Sequence, residues 1–147
     1  MKRNAVHIIT QIKKNNLLTL SIGCVYLLFG ILKFFASASP AEAIAIQTMN
    51  RLTFGFIPSH ITLQLLAVWE TVIGLLLLIN TCTKAALIFA LTHIVMTFTP
   101  FFLIPEATFS SATHTPTLLG QYIFKNVIIV AALLTQLQNK KFNYAKS

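Results

Sequence analysis

Charge is what this sequence has least of. Lysine, arginine, aspartate and glutamate make up 10% of its 147 residues, where a soluble domain carries about 25% to keep its surface wet. With a hydrophobic fraction of 56% and a mean hydropathy of +0.77, the chain cannot cover itself with polar groups in water. That excludes a soluble helical protein with a large core. Acid is scarcer still, since Glu42, Glu70 and Glu106 are the whole complement. Of cysteine there are two, Cys24 and Cys82, with no C-x-x-C pair, so the chain carries no signature of dithiol redox or cysteine metal binding. It also has no metal-ligand spacing, no nucleotide-binding glycine loop, no Ser-His-Asp order, no internal repeat and no low-complexity segment.

What is present is basic charge, +8 net, which in a soluble protein would suggest nucleic acid. Its distribution argues otherwise. Lys2, Arg3, Lys13 and Lys14 precede the first apolar run, Lys140, Lys141 and Lys146 follow the last, and Lys84 sits in the short gap between the second and third. The longer intervening segments hold Arg51 alone, and Lys33 and Lys125 lie within apolar runs. This is the positive-inside bias of a membrane protein. It puts the N-terminus, the Lys84 turn and the C-terminus in the cytoplasm of a bacterial inner-membrane protein, with lipid and not nucleic acid as the partner. Cys24 and Cys82 then lie toward the reducing side, where free thiols are expected.

The expected fold is all-α, a transmembrane four-helix bundle with a short extra helix on the outer face, forming one membrane domain over 1–147. The spans are 17–36, 61–80, 85–104 and 118–137, each close to the length that crosses about 30 Å of hydrocarbon. Residues 1–16 are basic and weakly amphipathic, either a helix on the membrane surface or a frayed tail. The basic lead, apolar run and Ala36-Ser37-Ala38 imitate a signal peptide, but the run is too long for one and contains Lys33, so it reads as a retained helix. Ser39-Pro40-Ala41-Glu42 is a capping box that should open the outer helix, running to about Arg51. Pro100 should kink or end the third span, and 105–117, with Glu106 and His114, should be an outer loop.

The charges inside the spans are the informative residues. A charge at the bilayer centre costs about 2.5–3.5 kcal/mol on insertion scales, so Glu70 needs a partner. Glu70 is roughly 13 Å, Lys125 roughly 10 Å and Lys33 roughly 5 Å from the outer surface at 1.5 Å per residue. Helical side chains lean toward their own N-terminus, so Lys33 leans deeper, Glu70 leans outward, and the two converge. Lys125 leans outward and is free to snorkel. Each span has one face combining small and polar residues, the combination that packs helices in membranes: Gly23, Tyr26, Gly30 and Lys33; Ala67, Glu70 and Gly74; Ala86, Ala90, His93, Thr97 and Pro100; Gln121, Tyr122, Lys125 and Ala132. His93 is near mid-depth. Trp69 is too deep for an interfacial aromatic belt, so it should pack in the bundle or stack on a ligand. The candidate intramembrane polar site is therefore Lys33, Glu70, Lys125, His93, Gln121, Tyr26 and Trp69. A Glu–Lys staple without chemistry and a working site stay open at this point.

At these residues the sequence resembles the DoxX-like family of small bacterial membrane proteins. Leu28-Phe29-Gly30-Ile31-Leu32-Lys33-Phe34 is similar to the family's first-span glycine-lysine-phenylalanine stretch. Ala67-Val68-Trp69-Glu70 with Ile73-Gly74-Leu75 is similar to its second-span glutamate-glycine motif. Gly120-Gln121-Tyr122 with Lys125-Asn126 is similar to the lysine-asparagine motif of the last span. The resemblance implies a four-helix membrane bundle, some of whose relatives resemble the membrane subunit of thiosulfate:quinone oxidoreductase while others associate with thiol-redox partners. The first functional expectation is a membrane subunit that supports redox or quinone chemistry beside a redox or other membrane protein, its polar cluster binding a small polar headgroup with Glu70 and Lys125 as hydrogen-bonding or proton-handling groups. The missing cysteine pair argues against an autonomous thiol oxidoreductase. A non-enzymatic assembly factor or partner-binding module is the alternative, and a small-solute transporter the third reading.

Overall fold

The computed structural model describes residues 2–35, 42–110, 113 and 115–144, with side chains described over 17–35, 42–110, 113 and 115–139. Within them the secondary structure is helical apart from an isolated antiparallel bridge between Phe109 and Pro116. In chain order the helices are α1 Lys2–Leu32, α2 Glu42–Leu52, α3 Ser59–Leu78, α4 Thr83–Met96, α5 Pro100–Leu103, α6 Pro105–Thr108, α7 Leu118–Phe124 and α8 Asn126–Tyr144. Three helical stretches are long and apolar enough to cross a membrane: Ser59–Leu78, Thr83–Leu103 and Leu118–Asn139. The apolar part of α1, Leu17–Leu32, is shorter. The first expected span thus ends earlier than Ala36. Its last turn tightens, with Lys33, Phe34 and Phe35 donating to carbonyls three residues back. The basic lead neither frays nor turns onto a surface as a separate helix, because α1 runs through it without a break.

The long helices α1, α3, α4 and α8 form a closed ring in which each packs on the next and α8 returns to α1. The core at its centre comprises Ile22, Tyr26, Ile73, Leu77, Ala86, Leu87, Ala90, Ile94 and Leu133. The α1–α3 seam is the most extensive, and glycine makes it. A Cβ on Gly74 would lie 2.5 Å from Leu27 N and 2.9 Å from Gly23 O, and one on Gly30 would lie 2.6 Å from Thr71 N. Those are backbone atoms that cannot swing aside, so only a residue without a side chain permits this approach.

Two helices are interrupted, the first where the sequence says it must be. Pro100 has no N–H to give to Met96 O and its ring crowds that carbonyl. Thr99 takes the carbonyl instead, through both its N–H (3.1 Å) and its hydroxyl (2.7 Å). The α-helix stops at Met96 and resumes for one turn at Pro100. The last span is broken at Lys125, between α7 and α8. The two breaks are tied together, with Asn126 Nδ2 donating to Thr97 Oγ1 at 2.8 Å.

At one end of the bundle α2 packs against α3 and α5, burying Ile44 and Thr48. Arg51 fixes its end, donating to the Leu103 carbonyl and pairing with Glu106 at 2.7 Å. Both side chains of that pair are more than half exposed, so it contributes at most about 1 kcal/mol. The helix stops in a turn in which Gly55 N donates back to Asn50 O at 2.9 Å, the six-residue closure that places its penultimate residue in the left-handed region. That residue is Phe54, at φ 52°, a conformation that costs a side-chain-bearing residue roughly 1–2 kcal/mol. Ser39, Pro40 and Ala41 of the expected capping box lie outside the described residues, as does His114. Thr117 caps α7, accepting from Gly120 N at 3.1 Å while donating to Ala107 O at 2.8 Å.

Candidate functional site

Glu70 sits on the inner face of α3 between Ala67 and Gly74, and it is 5% exposed. A buried carboxylate must be hydrogen-bonded or paired to be tolerated, and each of its oxygens is taken by a different helix. Lys33 Nζ, just past the end of α1, lies 2.6 Å from Oε2. His93 Nε2, on α4, lies 3.2 Å from Oε1. The contact with a carboxylate makes Nε2 the N–H-bearing nitrogen of His93. Its other nitrogen, Nδ1, lies 3.4 Å from the Tyr26 hydroxyl, which is long for a hydrogen bond. Tyr26 gives its proton to the Ala90 carbonyl at 2.7 Å, and its ring meets His93 edge-on with centroids 5.7 Å apart. The result is a polar line, Lys33–Glu70–His93–Tyr26, joining α1, α3 and α4 with Ala90 O at its end.

Lys33 is the least satisfied member. Its side chain is 5% exposed, and an ammonium has three N–H donors. Among the described residues it makes one hydrogen bond, to Glu70, and the centroid of the Phe29 ring lies 5.8 Å from Nζ. Its neutraliser is therefore well placed, while the described residues leave two of its donors unused. Among the described residues no three of His, Cys, Asp and Glu are grouped to hold a metal.

The convergence of Lys33 and Glu70 expected from side-chain lean is present, and Tyr26 and His93 join it. The other candidate residues lie elsewhere. Trp69 does not pack in the bundle: it is 42% exposed and meets Phe89 of α4 edge-on, 5.3 Å between centroids, on the outward surface. One residue is 100° of helix, so burying Glu70 turns its neighbour out. Lys125 is exposed, its ammonium 5.1 Å from the Tyr122 ring centroid. Gln121 is exposed as well and donates to Pro116 O at 3.3 Å. The face of the last span that turns inward is Gly120, Ile123, Leu133 and Gln136, with Asn126 between, so the Gln121-Tyr122-Lys125 face is rotated outward. These polar residues are near enough to the end of the helix to reach polar surroundings without help from other helices. A Cβ on Gly120 would lie 2.2 Å from Thr108 O, and this contact, together with the tied breaks, sets the rotation.

The chain matches no family model, no curated protein and no solved structure. The polar contacts within the bundle are therefore what bears on its chemistry, and several were not singled out from the sequence. Asn126 with Thr97 is one. Thr19 with Gln136, donor and acceptor 3.2 Å apart, is another, joining α1 to α8. The hydroxyls of Thr62 and Thr71 are buried without a hydrogen-bond partner among the described residues. The signal for Gln136 and Asn126 was an amide in an apolar run. Threonine gives no such signal, since its hydroxyl usually bonds its own helix, as Thr48 and Thr135 do here.

Proposed function

We propose that the chain is a four-span inner-membrane protein of the DoxX-like kind, with both termini cytoplasmic, and that its polar line supports redox chemistry by holding the headgroup of a quinone beside a partner that supplies the electrons. The first span is the shortest of the four, and what supports it is the continuity of α1. Its 31 residues rise about 46 Å at 1.5 Å each, enough to cross the core and leave the basic end among headgroups. Reporter fusions after Lys14, at Lys84 and after Lys141 should then report cytoplasm, and fusions at Arg51 and within 105–117 the outside. A C-terminus on the outside would overturn the four-span reading.

The observation that carries the quinone reading is Lys33: a side chain almost wholly buried, with two ammonium donors that the described residues leave unused. A quinone carbonyl is a neutral acceptor soluble in the same phase, and Glu70 and His93 stand behind Lys33 as groups that can give or take a proton. The test is the doubly neutral variant, Lys33→Met with Glu70→Gln, which leaves no orphan charge. Wild-type protein purified in mild detergent should carry quinone, and the variant should fold but lose it. Quinone absent from wild type, or equal in both, sinks the reading.

One observation favours a second reading. Both oxygens of Glu70 are already filled by this chain's own side chains, which suits a clasp holding three helices of a non-enzymatic partner-binding module. On that reading the doubly neutral variant retains its co-purifying proteins, and neither form carries quinone.

A further inference from the structure

The turn between α2 and α3 holds two phenylalanines that touch little of this protein. Phe54 is 87% exposed and Phe56 is 88% exposed. Isolated exposed apolar residues are ordinary, but Phe54 is not ordinary. It occupies the left-handed position that closes α2, at φ 52°, while the glycine suited to that position stands one residue later at φ 77°. Backbone strain at a residue with a side chain persists where something over-determines it. The contacts of Phe54 within the chain do not, because the ring projects away from it. What the strained conformation achieves is to throw an aromatic ring clear of the helix end.

We propose that Phe54 and Phe56 are a lipid anchor, two rings that enter the outer leaflet and hold α2 along the membrane surface. The inference rests on the membrane-spanning reading above. The chain's own layout selects lipid as the occupant. Phe56 stands three residues before Ser59, where α3 begins, so the turn lies where that span leaves the hydrocarbon. The helix that follows the turn also presents exposed apolar side chains, Ile61, Leu65 and Val68, spaced four and three residues apart. Arg51, three residues before Phe54, is tied to Leu103 and Glu106, and Phe102 beside that anchor point is 84% exposed. A helix fixed to α5 and α6 by a charged residue and bordered by phenylalanines is suited to lie in the interface, its polar side outward.

The test uses the one tryptophan of the chain, Trp69, as an internal standard. Trp69 is eight residues into the apolar run that begins at Ile61 and so about 12 Å deep at 1.5 Å per residue, toward the bilayer centre. The native protein is reconstituted into phosphatidylcholine vesicles with bromine placed either near the headgroup end or near the methyl end of the acyl chain. Its fluorescence should be lost mainly to the deep bromines. Phe54→Trp and Phe56→Trp, each made on a Trp69→Phe background, should emit to the blue of free tryptophan, be shielded from acrylamide, and be quenched mainly by the shallow bromines. Emission at the wavelength of free tryptophan with full acrylamide quenching overturns the anchor and indicates a surface waiting for a protein partner. Shielding from both acrylamide and bromine, relaxing as protein is diluted in lipid, overturns it in favour of a second copy of the chain. Should Trp69 in the native protein itself escape the deep bromines, the membrane-spanning reading fails and not merely the anchor. If Trp69→Phe does not fold, Phe54→Cys and Phe56→Cys, each made with Cys24→Ala and Cys82→Ala to remove the native exposed thiols and carrying a polarity-sensitive label, give the same comparison.

Discussion

Glu70→Gln should destabilise the protein by roughly 3–5 kcal/mol, the effect of removing one partner from a truly buried pair. The variant leaves Lys33, whose side chain is 5% exposed, with an amide oxygen in place of a carboxylate. Among the described residues it leaves the charge of Lys33 without a counter-ion, with the Phe29 ring centroid 5.8 Å from Nζ. The reciprocal change, Lys33→Met, should cost less, because the carboxylate keeps His93 on its other oxygen at 3.2 Å. Lys33→Met added to Glu70→Gln should recover part of the loss, as neutral isosteres of buried pairs often do. His93→Gln alone should fall below both, since it preserves the ion pair. The measurement is reversible unfolding in mixed micelles, analysed as a double-mutant cycle so that the coupling of Lys33 with Glu70 is separated from the effect of either alone. Equal costs for Glu70→Gln and Lys33→Met with no coupling would mean that the two charges do not compensate each other, and both the clasp and the quinone site would fall with them.

How much of this was legible in the sequence divides along physical lines. Helix existence followed from runs of apolar residues, and the pairing of Glu70 with Lys33 followed from depth and lean, because a buried charge has few admissible solutions. His93 belonged to the same logic: spaced three and seven residues from Ala90 and Ala86, it had to face inward with them. The last span was misassigned because its polar residues lie near an end. There the membrane no longer penalises exposure, so Gln121 and Lys125 carry no information about which way the helix faces. Trp69 was misread for a related reason. A large aromatic residue is at ease against lipid or protein alike, and its neighbour Glu70 decided the rotation. The breaks at Thr97–Thr99 and Lys125 differ in the same way. Proline announces the first, while nothing local announces the second, which is fixed by the bond from Asn126 to Thr97 across the bundle. The ending of α2 on Phe54 was invisible, since Gly55 beside it is the residue that turn chemistry favours for the left-handed position.

Gly74→Ala should be as damaging as a single methyl can be. The added Cβ would meet Leu27 N at 2.5 Å, Leu27 Cα at 2.8 Å and Gly23 O at 2.9 Å. All three are backbone atoms of α1, so no rotamer change relieves the contact, and the helices must separate by about an ångström, a strain of about 1–3 kcal/mol or more. The separation does not stay local. Gly74 is one turn from Glu70 on the same face of α3, and the ion pair with Lys33 spans the same seam at 2.6 Å, so opening the seam also stretches the pair that compensates a buried charge. Gly23→Ala supplies the control on the same seam. Its Cβ would approach Leu77 Cβ at 3.1 Å and Leu78 Cγ at 3.2 Å, side-chain atoms that can give by tenths of an ångström, although Gly74 O at 3.2 Å cannot. The expected order of thermal midpoints in detergent is therefore wild type, then Gly23→Ala, then Gly74→Ala. The coupling of Lys33 with Glu70 in the double-mutant cycle should shrink on the Gly74→Ala background and survive on the Gly23→Ala one. Equal tolerance of the two substitutions would mean that α1 and α3 do not approach as closely as the seam requires. The argument that glycine brings Lys33 onto Glu70 would then fail at its first step.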